Sequence, residues 1–83
     1  MQAHVTIIGS GVNGVIHGGF RQWLFENGRA MGLRVLVRNE GERVKASITG
    51  DSIRVVDLIK QCRRGPSRAR VLDVLAELEK ERT

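Results

Sequence analysis

The 83 residues predict an α+β fold, a two-layer sandwich in which an antiparallel sheet carries two helices on one face. Two observations carry this expectation. Four segments are rich in strand-forming residues at sheet spacing, and two segments between them repeat apolar residues every three or four positions. Their order, strand, helix, strand, strand, helix, strand, is that of a split βαβ arrangement.

The first strand is "HVTIIG", residues 4 to 9, which ends in a Gly-rich stretch running to Gly19. From Phe20 to Met31, the residues Phe20, Trp23, Leu24, Ala30 and Met31 share one side of a helix, and Gly32 stands where a C-terminal cap belongs. Gly28 inside this helix costs about 1 kcal/mol relative to Ala. "LRVLVRN" alternates, with Leu33, Val35 and Val37 opposite Arg34, Leu36 and Arg38. "RVKASIT" places Val44, Ala46 and Ile48 opposite Arg43, Lys45, Ser47 and Thr49, and the short "NEGE" between the two makes them a hairpin.

The second helix begins at Asp51 or Ser52 as cap, with Val55, Leu58, Ile59 and Cys62 on its apolar side. Arg63 and Arg64 suit the negative end of its dipole, and "GP" stops it. The tail is ambiguous by period: Val74, Ala76 and Leu78 alternate, whereas Val71, Leu75 and Leu78 follow helical spacing. A strand over Arg70 to Glu77 is expected, as a further neighbour for the hairpin. With this element the pattern is the ferredoxin-like βαββαβ sandwich.

The length allows one domain, residues 1 to 83, with a modest core. Hydrophobic residues make up 41% and charged residues 28%, and neither a membrane-spanning segment nor a secretory leader is read from the pattern. The single cysteine, Cys62, permits no internal disulfide and points to a reducing, cytoplasmic setting. One cysteine and two histidines, His4 and His17, argue against a structural zinc site. The net charge of +5 favours an anionic partner without naming it.

"GSGVNG", Gly9 to Gly14, has the glycine spacing of a dinucleotide-binding loop, but a hairpin follows where that fold needs further parallel βα units. The physics of anion binding remains. In a βαβ unit the loop after the first strand, the start of the helix and the end of the second strand share one edge of the sheet. Gly9 to Gly19, Phe20, Arg21 and Asn39 therefore meet there. A Gly-rich loop entering a helix N-terminus offers backbone N–H groups and a positive dipole end, and Arg21 adds a planar fork for phosphate oxygens.

No paired carboxylates and no nucleophile beside a base are legible in this set. Hydrolysis of an acyl phosphate needs neither, because its carboxylate leaves without being protonated. Loop amides and Arg21 to hold the phosphoryl group, and Asn39 to orient a water in line, suffice.

At these residues the sequence resembles the acylphosphatase family. "GVNGV" is similar to that family's G-x-V-Q-G-V loop, "GFRQW" to its G-F-R-x-F, "GLRVLVRNEGERV" to its G-L-x-G-x-V-R-N strand and turn, and "CRRGPSRARV" to the segment after its second helix. The stretch from Phe20 to Asn39 aligns without a gap. The resemblance implies the βαββαβ sandwich, hydrolysis of small acyl phosphates to carboxylate and phosphate, and no cofactor or metal. It makes Arg21 the phosphate-binding arginine and Asn39 the water-orienting asparagine. Backbone N–H groups of Asn13, Gly14, Val15, Gly18, Gly19 and Phe20 would form the phosphate loop. The chain departs from the pattern in three residues between "VNGV" and "GFR", in Asn13 where Gln is usual, and in Val35 where glycine is usual. An alternative register uses Val15 to Gly19 as the cradle.

Taken alone, Asn39 would serve as a turn residue, Phe20 and Trp23 as core, and "CRRGPSRAR" as a solvated loop. The rival to an enzyme is a catalytically weak or inactive ferredoxin-like module binding an anion, RNA or a protein partner. RNA recognition would place aromatics on the exposed sheet face. Here all three lie between Phe20 and Phe25, in the first helix. The expected ligand is a small acyl phosphate or inorganic phosphate, with no membrane partner; the oligomeric state is open.

Overall fold

The computed structural model describes residues 1–9 and 19–79. Its elements are β1 (Gln2–Gly9), α1 (Phe20–Ala30), β2 (Arg34–Glu40), β3 (Arg43–Thr49), α2 (Ser52–Cys62) and β4 (Val71–Glu79). The sheet order is β2-β3-β1-β4, and every neighbouring pair is antiparallel. The βαββαβ expectation is met, and the tail is a strand. Its partner differs from the one expected. β4 pairs with β1, from Gln2 opposite Glu79 to Gly9 opposite Val71, and the hairpin gains β1 as its neighbour through β3. The crossover through α2 passes over β1, so the last strand lands on the free side of β1 and becomes an edge.

Alternation divides the sheet into two faces. Ala3, Val5 and Ile7 of β1, Val35 of β2, Val44, Ala46 and Ile48 of β3, and Val74 of β4 are buried beneath the helices. From the helices come Phe20, Leu24, Val55, Leu58 and Cys62, each fully buried. Removing such a side chain from water contributes roughly 1.5–3 kcal/mol. Ala30, expected on the buried side of α1, is exposed. It closes the last turn, beyond the part of the helix that crosses the sheet. The helical-face pattern instead includes Gly28, which is buried.

A β-carbon on Gly28 would collide with Val35 and stand 3.2 Å from Leu58 Cδ2. The missing side chain lets α1 settle onto both β2 and α2, so the propensity cost read from the sequence is exchanged for close packing. Asp51, of the two candidates, is the cap of α2: its Oδ2 accepts from the Arg54 N–H at 3.2 Å. Arg54 in turn donates to the Met31 carbonyl at 3.0 Å, tying the start of α2 to the end of α1.

Candidate phosphate-binding site

β1 and β2 both run antiparallel to β3, so they point the same way and α1 returns between them. With Gly28 seated on Val35, the first turn of α1 lies about 10 Å further along the helix. Asn39 lies about 13 Å further along β2 in the same direction. Arg21 and Asn39 are thus carried to one edge of the sheet by two elements fixed against each other at Gly28. Asn39 pairs with Val44 and shares the pleat side of Val35 and Val37, which is the side that bears the helices. Both Arg21 and Asn39 are exposed.

The start of α1 has an unusual local chemistry. Its cap is Gly19, in the left-handed conformation at φ 73° and ψ 26°, with no side chain to accept from the first-turn amides. The carbonyl of Gly19 accepts from Trp23 N–H at 3.1 Å, closing the first turn. No acidic residue stands in that turn. The first amides of a helix have no partner within it, and this end presents them, with the positive end of the dipole, to an outside anion. Arg21 at this place raises the positive charge instead of offsetting it.

The side chain of Phe20 anchors the same turn from below. Its ring is fully buried and meets Trp23 edge to face, with centroids 5.1 Å apart and planes at 64°. Phe20 is core by its ring and site-facing only through its backbone. Across the edge, at the β2–β3 turn, Glu40 accepts from Arg38 at 2.9 Å and pairs with Lys45 at 3.2 Å. Lys45 first, and then Arg38, hold the Glu40 carboxyl below its ordinary value.

The acylphosphatase family model matches residues 4–83. The chain belongs to the acylphosphatase family. An acylphosphatase of Rhodopseudomonas palustris is 42% identical over 69 residues, covering 81% of this chain and 70% of that protein. One of Acidiphilium cryptum is 37% identical over 76 residues, covering 90% and 80% respectively. The crystal structure of acylphosphatase from Bacillus subtilis superposes with a TM-score of 0.83 at 19% identity, over 92% of this chain and 81% of that one, which speaks to the fold alone.

Of the residues that the acylphosphatase pattern singles out, Gly19, Phe20, Arg21 and Asn39 are brought to one sheet edge. Asn13, Gly14, Val15 and Gly18 lie outside the described residues. One neighbour of this edge is the segment that resembles the stretch after the family's second helix and that, taken alone, reads as a solvated loop. The turn after α2 packs Gly65, at φ 65°, directly on the Phe20 ring, where a β-carbon would come 2.6 Å from Cε2. The signal for it was the Gly65-Pro66 pair, which ends the helix and also admits the ring. No helix among the described residues is long and apolar enough to cross a membrane.

Proposed function

We propose that the chain hydrolyses small acyl phosphates to carboxylate and inorganic phosphate at this sheet edge, with Arg21 and Asn39 as its two working side chains. The observation that carries the reading is the glycine-capped, acid-free start of α1 bearing Arg21, on the edge that also holds Asn39, in a chain of the acylphosphatase family. Arg21 would take two phosphoryl oxygens in its planar fork, and the amides of Phe20 and the preceding loop, including Asn13, Gly14, Val15, Gly18 and Gly19, would take the rest. The Asn39 carboxamide, held by the strand, would orient a water in line with the bond to the acyl oxygen.

The step balances without a base. Water oxygen bonds to phosphorus as the phosphorus–oxygen bond to the acyl group breaks, the carboxylate departs with the electron pair, and both water protons remain on the phosphate product. Because the leaving carboxylate needs no proton, the absence of an acid–base pair in the site-forming sequence is compatible with turnover. A buried, unbridged Cys62 accords with a reducing, cytoplasmic setting.

Hydrolysis of benzoyl phosphate by purified protein tests the reading. Arg21→Ala and Asn39→Ala should each lower kcat by roughly 10²–10³, the usual effect of removing one charge-stabilising or orienting group. Both positions are exposed, so folding should be unaffected. Wild-type turnover no faster than buffer, or a mutant matching wild type, would overturn it.

A further inference from the structure

The helix-free face of the sheet carries three side chains that the phosphate site does not use. Ala3, Val5 and Ile7 of β1 are buried beneath the helices, so His4, between the first two, points to the opposite face. β1 lies between β3 and β4 in the sheet, which gives a residue on it neighbours on both sides. His4 pairs with Ser47 of β3, and Gln2, two residues back on the same face, pairs with Glu79 of β4. His4 Nδ1 stands 3.2 Å from Ser47 Oγ, and its Nε2 stands 3.5 Å from Glu79 Oε1.

These two contacts assign the tautomer of the neutral ring. A carboxylate only accepts, so Nε2 carries the ring proton toward Glu79, and the lone pair of Nδ1 is left for Ser47. The Ser47 hydroxyl then donates to Nδ1, which puts a nucleophile, a base and an orienting acid in sequence. His4 and Ser47 open on a shallow depression also lined by Thr6, Leu36, Lys45 and Leu75. Leu36 and Leu75 are 63% and 50% exposed and offer apolar surface to an acyl chain. β3 is paired on both sides, so its amides are taken up in ladders and none is free for a developing oxyanion. Lys45, two residues from Ser47 on the same face, supplies positive charge in their place.

We propose that Ser47, His4 and Glu79 form a second hydrolytic centre, which cleaves small carboxylic esters through an acyl group held on Ser47. Ser47 Oγ bonds to the ester carbonyl carbon as His4 Nδ1 takes its proton. The carbon–oxygen bond to the alcohol then breaks, and the departing oxygen keeps the electron pair and receives that proton. Water attacks the acyl-serine in turn and passes one proton through His4 back to Ser47 Oγ, releasing the carboxylic acid. Glu79 is a positioning residue, which holds the ring and steadies its charge while the proton resides there. Asn39 faces the helix-bearing side of the sheet, so this centre stands independently of the acyl phosphate reading.

The test follows hydrolysis of para-nitrophenyl butyrate by the full chain at about neutral pH. Ser47→Ala should lose all turnover above buffer, and His4→Gln should lower kcat/KM by roughly 10²-fold, the low end of what a positioned base contributes. Glu79→Gln should lower kcat about tenfold with KM unchanged, less than in a buried triad because water screens the pair. Glu77→Gln removes the carboxylate opposite His4 in the ladder and should change kcat by less than about twofold. A fluorophosphonate, whose serine ester resists hydrolysis, should label Ser47 in wild type and not in His4→Gln.

Turnover that survives Ser47→Ala is catalysis by imidazole alone and overturns the proposal. Equal losses in Glu77→Gln and Glu79→Gln overturn it as well, since net charge would then account for both. Labelling that maps to another residue, or no labelling of wild type, decides against it without recourse to any variant. Inorganic phosphate, which competes at the start of α1, should leave ester turnover unchanged; inhibition would place ester cleavage at the phosphate site and overturn the second centre. A failure to hydrolyse benzoyl phosphate would count against the acyl phosphate reading only.

Discussion

Gly28 of α1 and Val35 of β2 are packed so closely that no β-carbon fits between them. This one approach sets the separation of helix and strand, and with it the relation between Arg21 and Asn39 at the far end of both elements. Gly28→Ala gains about 1 kcal/mol of helix propensity but forces Val35 and Leu58 apart, an overpacking cost of typically 1–3 kcal/mol. A net loss of stability of about 1 kcal/mol is expected, read as a lower midpoint in urea with an unchanged slope. A more stable variant would show that the helix can lift off β2 freely.

Gly65→Ala should be the more damaging substitution. It places a side chain at φ 65° and drives its β-carbon to 2.6 Å from Phe20 Cε2 and 3.3 Å from Val71 Cγ2. The two penalties together are expected to cost about 2–4 kcal/mol. Displacement of Phe20 should also disturb the first turn of α1, so that residual folded protein binds phosphate more weakly than wild type in calorimetry. Unaltered phosphate affinity would mean that the ring does not set the position of Arg21.

Burial pushes the Cys62 thiol up from 9.0 to about 12. A thiol whose folded value is raised contributes stability that is intact below the unfolded value and is lost as pH climbs toward the folded one. Between pH 9 and 12 the unfolded chain ionises while the folded chain does not, so stability should fall by up to about 1.4 kcal/mol per pH unit. Cys62→Ala should flatten that alkaline limb. At about neutral pH the wild-type thiol should react with a disulfide reagent only at the rate of unfolding.

Glu40 has the opposite sign. Lys45 and Arg38 lower its carboxyl below 4.5, so its contribution is present above that value and disappears as pH falls through the lower folded-state value. The group is on the surface and screened by salt, so the effect is small. Glu40→Gln should be slightly less stable than wild type near neutrality in low salt, and the two should converge on acidification or in high salt. A difference that persists at acid pH would mean that packing, not charge, is responsible.

Period and turn chemistry made the elements legible, because each strand buries one face and each helix one stripe. Val44, Ala46 and Ile48 fall where alternation puts them, and Val55, Leu58 and Cys62 where the helical period does. Strand partnership was harder, since β4 and the hairpin carry the same alternation and only the crossover decides that Val71 to Glu79 lies beside β1. Gly28 reads in sequence as a weak point in a helix because the reason for it, the Val35 side chain, comes from another element. That Arg21 and Asn39 share one sheet edge was legible from the geometry of a βαβ unit, while the roles proposed for them rest on a short gap-free resemblance. The placement of the 63–70 turn was not, because a run of arginines around a Gly-Pro pair looks the same whether it faces open solvent or a neighbouring helix start.

The edge position of β4 has its own consequence for how copies of the chain meet. Leu72, Leu75 and Leu78 are about half exposed or more, at 68%, 50% and 49%, along a strand whose outer ladder has no partner among the described residues. Two such edges zippered antiparallel about Leu75 would set Asp73 of each against Glu77 of the other. The mutual repulsion of these carboxylates would oppose templating of one strand by the other. Salt screens it while leaving the leucines in place, so high ionic strength would turn the last strand from a guarded border into an adhesive one.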